Sequence, residues 1–234
     1  MPIVSISALR RVSLPPVPAP VYETCWNLLG LGVMPFPLVV LGHSADDAAE
    51  RTSGWLNEHG LSGGSDAHVG PELAAALRVI ADFDDELAVV YADEPGQTGV
   101  GCFIRGADGL RAVLRGNAVE LSWIDPARAA ESAMAVIPPR AAALVPGPRS
   151  AADDSGDGAG NAEFLAVYST ATAFGRATTV SRTPDRTGTR VSEVPVTWLD
   201  TPAGRYSITT ADGQLTLAPV GPAALLEQLR GLFA

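Results

Sequence analysis

The chain has 234 residues, of which 47% are hydrophobic, and 26 acidic against 16 basic side chains leave a formal charge of -10. That is enough apolar material for a sizeable core in one domain, which excludes disorder over the whole length. The negative field opposes phosphate backbones and anionic lipid, which excludes nucleic acid and membrane surfaces as partners.

At the start of the chain, Arg10 and Arg11 follow an apolar stretch instead of preceding it, so no signal peptide is expected. The most apolar run, residues 28–41, is broken by Pro35 and Pro37 and is too short to span a bilayer. A cytoplasmic location is expected. Two cysteines, Cys25 and Cys102, cannot build a disulfide framework and read as small core residues.

Val21, Tyr22, Cys25, Trp26, Leu28 and Leu29 recur at helical spacing, and Gly30 and Gly32 stop the pattern, which predicts a helix over 21–29. After Pro35-Phe36-Pro37 a short extended segment is expected at 38–41. Ser44 with Asp47 three positions on resembles a capping box, so a second helix should run from there to about His59. Pro71 stands at a favoured first helical position, and Leu73, Leu77 and Ile80 extend a third helix to about Asp82.

Four strands follow at 87–92, 100–105, 110–115 and 119–124, and their short connections make them antiparallel neighbours. Asp125-Pro126 starts a helix whose apolar stripe of Ala130, Ala133, Met134 and Ile137 ends at Pro138. Residues 138–160, rich in Ala, Pro, Gly, Ser and Asp, read as a mobile linker. Residues 161–173 fit either a helix or a strand. Strands are expected at 174–181, 191–199, 205–210 and 215–218, and Pro222 opens a last helix carrying Leu225, Leu226, Leu229 and Phe233.

The stretch from Gly109 to Pro126 can be laid over that from Gly204 to Pro222 at an offset of about ninety-five residues with one inserted turn residue. Each copy reads strand, hairpin, strand, Pro-started helix. The expected fold is therefore α+β: a central, mostly antiparallel sheet of two quasi-symmetric halves flanked by helices. The expected organisation is a single domain over 1–234, with an N-terminal half at about 18–137, a linker at about 138–160 and a C-terminal half at about 161–234.

The residues that could carry chemistry do not converge. Gly42-His43-Ser44 resembles the start of a hydrolase nucleophile elbow, but Asp46 occupies the position of the closing glycine. His43, His59 and His68 all precede residue 70, where no triad of that fold would place its base. The run from Asp153 to Gly158 imitates half a calcium loop, yet Phe164 stands at its twelfth position and Glu163 is one residue early. Gly96, Gly99 and Gly101 lie between strands and read as hairpin glycines, not as a phosphate cradle. Asp46-Asp47 and Asp84-Asp85 read as solvated acids. No catalytic residue, cofactor or metal is expected.

Two stretches resemble the EspG family: LLGLGVMPFPL at 28–38, and VTWLDTPAGRY at 196–206 followed by LTLAP at 215–219. His59-Gly60-Leu61 and PELAAAL at 71–77 are similar to the family as well. The resemblance covers most of the chain outside residues 138–173. It implies an antiparallel sheet of two similar halves flanked by helices, in agreement with the repeat. It further implies a cytosolic chaperone of type VII (ESX) secretion that binds PE/PPE heterodimers, covers the apolar tip of the PPE subunit and keeps the substrate soluble. The family's helical bundle after the linker has little room in residues 161–173, so the client could instead be another small helical secreted protein.

A transient shield needs a moderately apolar patch inside a polar rim. Phe174, Arg176, Trp198 and Tyr206 on the second half-sheet are candidate anchors, with a core role open for Trp198. The hairpin at 105–110, with Arg105 and Asp108, is a second candidate for client contact. The sequence leaves open a homodimer through an exposed edge strand when no client is present. The alternatives are a small cytosolic hydrolase-like enzyme built on Ser44, and a structural subunit of a larger assembly.

Overall fold

The computed structural model describes residues 14–40, 47–63, 69–151, 159–183, 185, 187–211 and 214–233. The first half contains β1 (Val17–Pro18), α1 (Ala19–Leu28), α2 (Ala48–Glu58), α3 (Pro71–Ala81), β2 (Asp85–Asp93), β3 (Gly96–Arg105), β4 (Asp108–Arg115) and β5 (Ala118–Ile124). A 3-10 turn (Pro126–Arg128) then leads into α4 (Ala129–Met134). The second half contains β6 (Arg149–Ala151), α5 (Ala159–Ser169), β7 (Ala173–Arg182), β8 (Thr189–Val191), β9 (Val196–Thr201), β10 (Gly204–Ala211), β11 (Gln214–Pro219) and α6 (Pro222–Gly231).

The strands form one sheet in the order β1-β5-β4-β3-β2-β7-β9-β10-β11-β6, with β8 pairing the end of β7 beside β9. Every strand pair is antiparallel. The fold is α+β, with helices on both faces. Local chemistry sets the elements: Pro71 and Pro222 begin α3 and α6, where a missing N–H costs nothing. The Asp125 carboxylate accepts from the Ala127 N–H at 3.0 Å and caps the turn before α4. Gly106 and Gly116 take φ of 56° in the two-residue turns closing β3–β4 and β4–β5, a conformation costly for other residues.

The two faces are covered differently. On the first face, α1–α3 pack Trp26, Leu56, Leu73, Leu77 and Ile80 against Phe103, Leu110, Ala112 and Leu121 of the first half-sheet. Over the second half-sheet the same face carries only a small cluster, in which Phe164 of α5 meets Leu199, Tyr206 and Leu217. On the second face, α4 and α6 bury Leu87, Val89, Ala177 and Trp198 across the junction of the halves.

The repeat is closer than the sequence alignment implied. The pairs that close the hairpins are Arg105 with Asp108 and Thr201 with Gly204, then Arg115 with Ala118 and Ala211 with Gln214. They stand 96 positions apart (105 and 201, 115 and 211), as do Pro126 and Pro222, so no insertion is needed. It also reaches further than expected. Pro18 pairs with Ala118 at one sheet edge and Ala151 with Gln214 at the other, and a helix follows each, α1 or α5. What the second copy lacks is a counterpart of α2 and α3, since α5 runs almost directly into β7.

Several expectations are corrected. The short extended segment expected at 38–41 pairs with no strand over 38–40, where the Leu38 N–H turns back to the Pro35 carbonyl at 2.9 Å and its side chain enters the core, and Leu41 lies outside the described residues. The ambiguous stretch after the linker is helical, as α5. The strand expected over 191–199 is two strands, β8 and β9, both laid along one edge of β7. Of the three glycines read as hairpin residues, only Gly96 is at a turn. A Cβ at Gly99 would press on the Pro37 carbonyl and one at Gly101 on the Phe103 ring, so both let neighbouring groups lie on the strand. Of the segment expected to be a mobile linker, the part before residue 152 is bonded along the second half: the Arg205 N–H donates to Ala141, the Ala143 N–H to Arg205 and the Gly147 N–H to Leu217, while residues 152–158 lie outside the described residues.

Candidate functional surface

Between the cover of α1–α3 and that of α5, a strip of the first face is left open. It carries Val90 and Ala92 of β2, Phe174, Arg176 and Thr178 of β7, and Thr197 of β9, none fully buried. Register explains the grouping: Phe174 lies between Ala92 and Leu199, and Arg176 between Val90 and Thr197, so their side chains stand side by side on the central strand. Arg176 is exposed, whereas Phe174 is half-buried against the α5 cluster. Exposed apolar side chains lie on both covers, Val33 and Phe36 before Pro37 beside Thr178, and Leu165 and Tyr168 on α5. Among them Val33 is 94% exposed and Leu165 62%.

The other candidate residues have different places. Trp198 is 0% and Tyr206 3% exposed, so neither is available to a partner; they are core residues on opposite faces of the sheet. Arg105 and Asp108 close the β3–β4 hairpin, and Arg105 pairs with Asp82, just past α3, at 3.2 Å. The structure thus brings Phe174 and Arg176 together and leaves the hairpin apart. Sequence reasoning missed Val33, Phe36, Leu165 and Tyr168 as exposed apolar groups. Only α5 carried a signal, since Phe164, Leu165, Val167 and Tyr168 do not fall on one face, a spread that a one-sided helix on a sheet does not require.

The hairpin that carried the sequence resemblance is a folding device, residue by residue. Asp200 accepts from Arg205 Nε at 2.6 Å, from its second nitrogen at 2.8 Å and from the Tyr91 hydroxyl at 3.1 Å, all within the core. The same guanidinium donates to the Pro138 carbonyl at 2.9 Å, which fixes the end of the first half to the second. Thr201 accepts from the Ala203 N–H at 3.2 Å and donates to the Gly204 carbonyl at 2.9 Å, closing the turn. Gly204 has φ of 124°, and a Cβ there would strike the backbone of Ala142 and Ala143.

A family model, the EspG family, matches residues 19–231. The chain belongs to the EspG family. Among solved structures, this EspG-family chain is similar to the type VII secretion system chaperone EspG5 of Mycobacterium tuberculosis, determined in complex with a PE25–PPE41 dimer. The likeness has a TM-score of 0.66 at 14% identity, and covers 94% of this chain and 95% of that one. Comparison with curated proteins gives no match.

Ser44, the heart of the hydrolase alternative, lies outside the described residues together with His43, Asp46 and His68, as does the acidic run 153–157. His59 stacks on Trp55 with ring centroids 4.3 Å apart and its Nδ1 is 2.9 Å from the Trp55 carbonyl, a helix-end arrangement. Among the described residues no group of three or more His, Cys, Asp or Glu could hold a metal ion. No helix among them is long and apolar enough to cross a membrane.

Proposed function

We propose that this EspG-family chain is a cytosolic secretion chaperone that holds a helical client of the type VII pathway, a PE/PPE-like heterodimer, against the open strip of its sheet. The observation that carries the reading is the unequal cover of the two faces: the second face is sealed by α4 and α6, while the first leaves Phe174 and Arg176 standing between exposed apolar flanks. An apolar patch with one cation at its centre and a chain of net charge -10 around it gives affinity without loss of solubility. No bond is made or broken in such a role, and the protein acts by reversible surface complementarity without turnover or cofactor.

The test is co-expression with the small helical secreted proteins of the same genome, followed by size-exclusion chromatography and mass determination of the shifted peak. A stoichiometric complex that Arg176→Glu abolishes supports the reading. A client complex unaffected by Arg176→Glu and Leu165→Glu would move the contact elsewhere, and a folded protein that captures no client would overturn the chaperone function.

A further inference from the structure

The open strip ends in a cavity of about 390 Å³ lined by Phe36, Phe83, Glu86, Val180 and Val191, among other residues. Apolar side chains make most of its wall, with Met34 and Val33 completing the rim. Glu86 is 2% exposed, and among the described residues its Oε1 has no hydrogen-bond partner. A buried carboxyl oxygen without a partner is expensive, and each such group calls for a reason.

The neighbours do not supply one. Arg182 is turned away: its Nε donates to the Phe83 carbonyl at 3.0 Å, a second nitrogen donates to the Ala81 carbonyl, and its guanidinium lies over the Phe83 ring, 4.9 Å from the centroid. Burial first and the Glu86 charge second raise the phenol of Tyr22 of α1, yet among the described residues the Tyr22 hydroxyl has no partner either. On the other flanks Ala88, Thr178 and Val180 offer no charge.

We propose that this cavity is a binding pocket for an aromatic side chain with an N–H or O–H edge, tryptophan or tyrosine, whose ring fills the apolar walls and whose edge donates to Glu86. The ligand class follows from the lining: a ring-sized apolar space with an unused acceptor among its walls matches an amphipathic aromatic group, which is apolar in body and polar at one edge. A second cation is disfavoured by the charge of Arg182 beside it, and a purely apolar group would leave Glu86 unsatisfied. The side chain is supplied by the client, a point that rests on the chaperone reading, because the cavity continues the strip through Thr178.

The pocket is tested apart from any client. The probe is 3-methylindole against 1,3-dimethylindole, which keeps the ring and loses the donor, followed by carbon NMR of the Glu86 carboxyl and the Val180 and Val191 methyls. The expected result is a shift of all three on adding 3-methylindole and affinity about three- to tenfold above that of the N-methylated probe, the range for one hydrogen bond. Glu86→Gln keeps an acceptor and should keep the preference, while Glu86→Leu should abolish it and still fold. Equal binding of both probes, or no shift at the Glu86 carboxyl up to the solubility limit, would overturn the pocket, leaving water as the partner of Glu86. Loss of client capture with an intact probe response would overturn the chaperone reading instead.

Discussion

Trp198 lies directly over Gly175, its partner residue on the neighbouring strand, so that a Cβ at position 175 would fall inside the indole at Cε2, Cζ2 and Nε1. The indole is fully buried between β7 and β9 beneath α6 because position 175 has no side chain. Gly175→Ala should therefore destabilise the protein by about 1–3 kcal/mol or more, the usual result of overpacking a core. Urea denaturation of the two proteins measures it. Unchanged stability would show that the indole can tilt away at no cost.

The ion pair of Arg205 and Asp200 makes a second prediction through its burial. Both side chains are nearly inaccessible, at 1% and 4%, and Arg205 also holds the Pro138 carbonyl. Removing one partner strands the other charge, so Arg205→Met should cost about 3–5 kcal/mol. The paired change Arg205→Met with Asp200→Leu should recover much of that loss, because the desolvation of both charges disappears together. A double-mutant cycle read by chemical denaturation decides it, and additive losses would rule out the coupling.

How much of this was legible in the sequence depended on the range of the cause. Local signals located α3 and α6, whose prolines stand at the first turn, and the hairpins of the first half, whose turn glycines take positive φ. Contacts distant in sequence were not legible. Gly99 looks like a turn glycine until Pro37 is seen lying on it, and the residues after Pro138 look unstructured until Arg205 and Leu217 accept or donate their backbone bonds. The candidate surface was half-legible for the same reason. Arg176 and Phe174 could be placed on one strand face by alternation, but the open strip exists only because the second copy of the repeat lacks α2 and α3.

Glu86 gives the stability of the protein a pH dependence of unusual sign. Burial pushes its carboxyl up to about 8 from an ordinary 4.5. Below 4.5 the group is protonated in both states and contributes nothing. Between 4.5 and about 8 the unfolded chain releases a proton that the native protein keeps, so stability falls as pH rises, by on the order of a few kcal/mol across the window. The titratable groups that feel it are Tyr22 and Cys102, both raised first by burial and so neutral throughout, and Arg182, which lines the same cavity, is engaged with backbone carbonyls. Denaturation midpoints at pH 5, 6.5 and 8 should decline for the wild type and decline less for Glu86→Gln. Parallel curves for the two proteins would assign the slope to other groups.

Client binding should be separable from stability at Arg176. Its side chain is exposed, paired in register with Val90 and Thr197, and stands beside Phe174 at the centre of the open strip. Surface substitutions away from caps and buried networks usually shift stability by less than about 0.5 kcal/mol, so Arg176→Glu should fold as the wild type does. At the centre of an interface the same change removes an anchor and introduces an opposite charge, which should weaken client binding by about tenfold or more. Leu165→Glu on the flank of the strip should weaken it less, because rim positions mainly exclude water. Isothermal titration of the client into each variant, with melting temperatures measured alongside, separates these effects. A normal affinity for Arg176→Glu with an intact melting temperature would place the client off the strip, and equal losses in affinity and stability would reduce Arg176 to a structural residue.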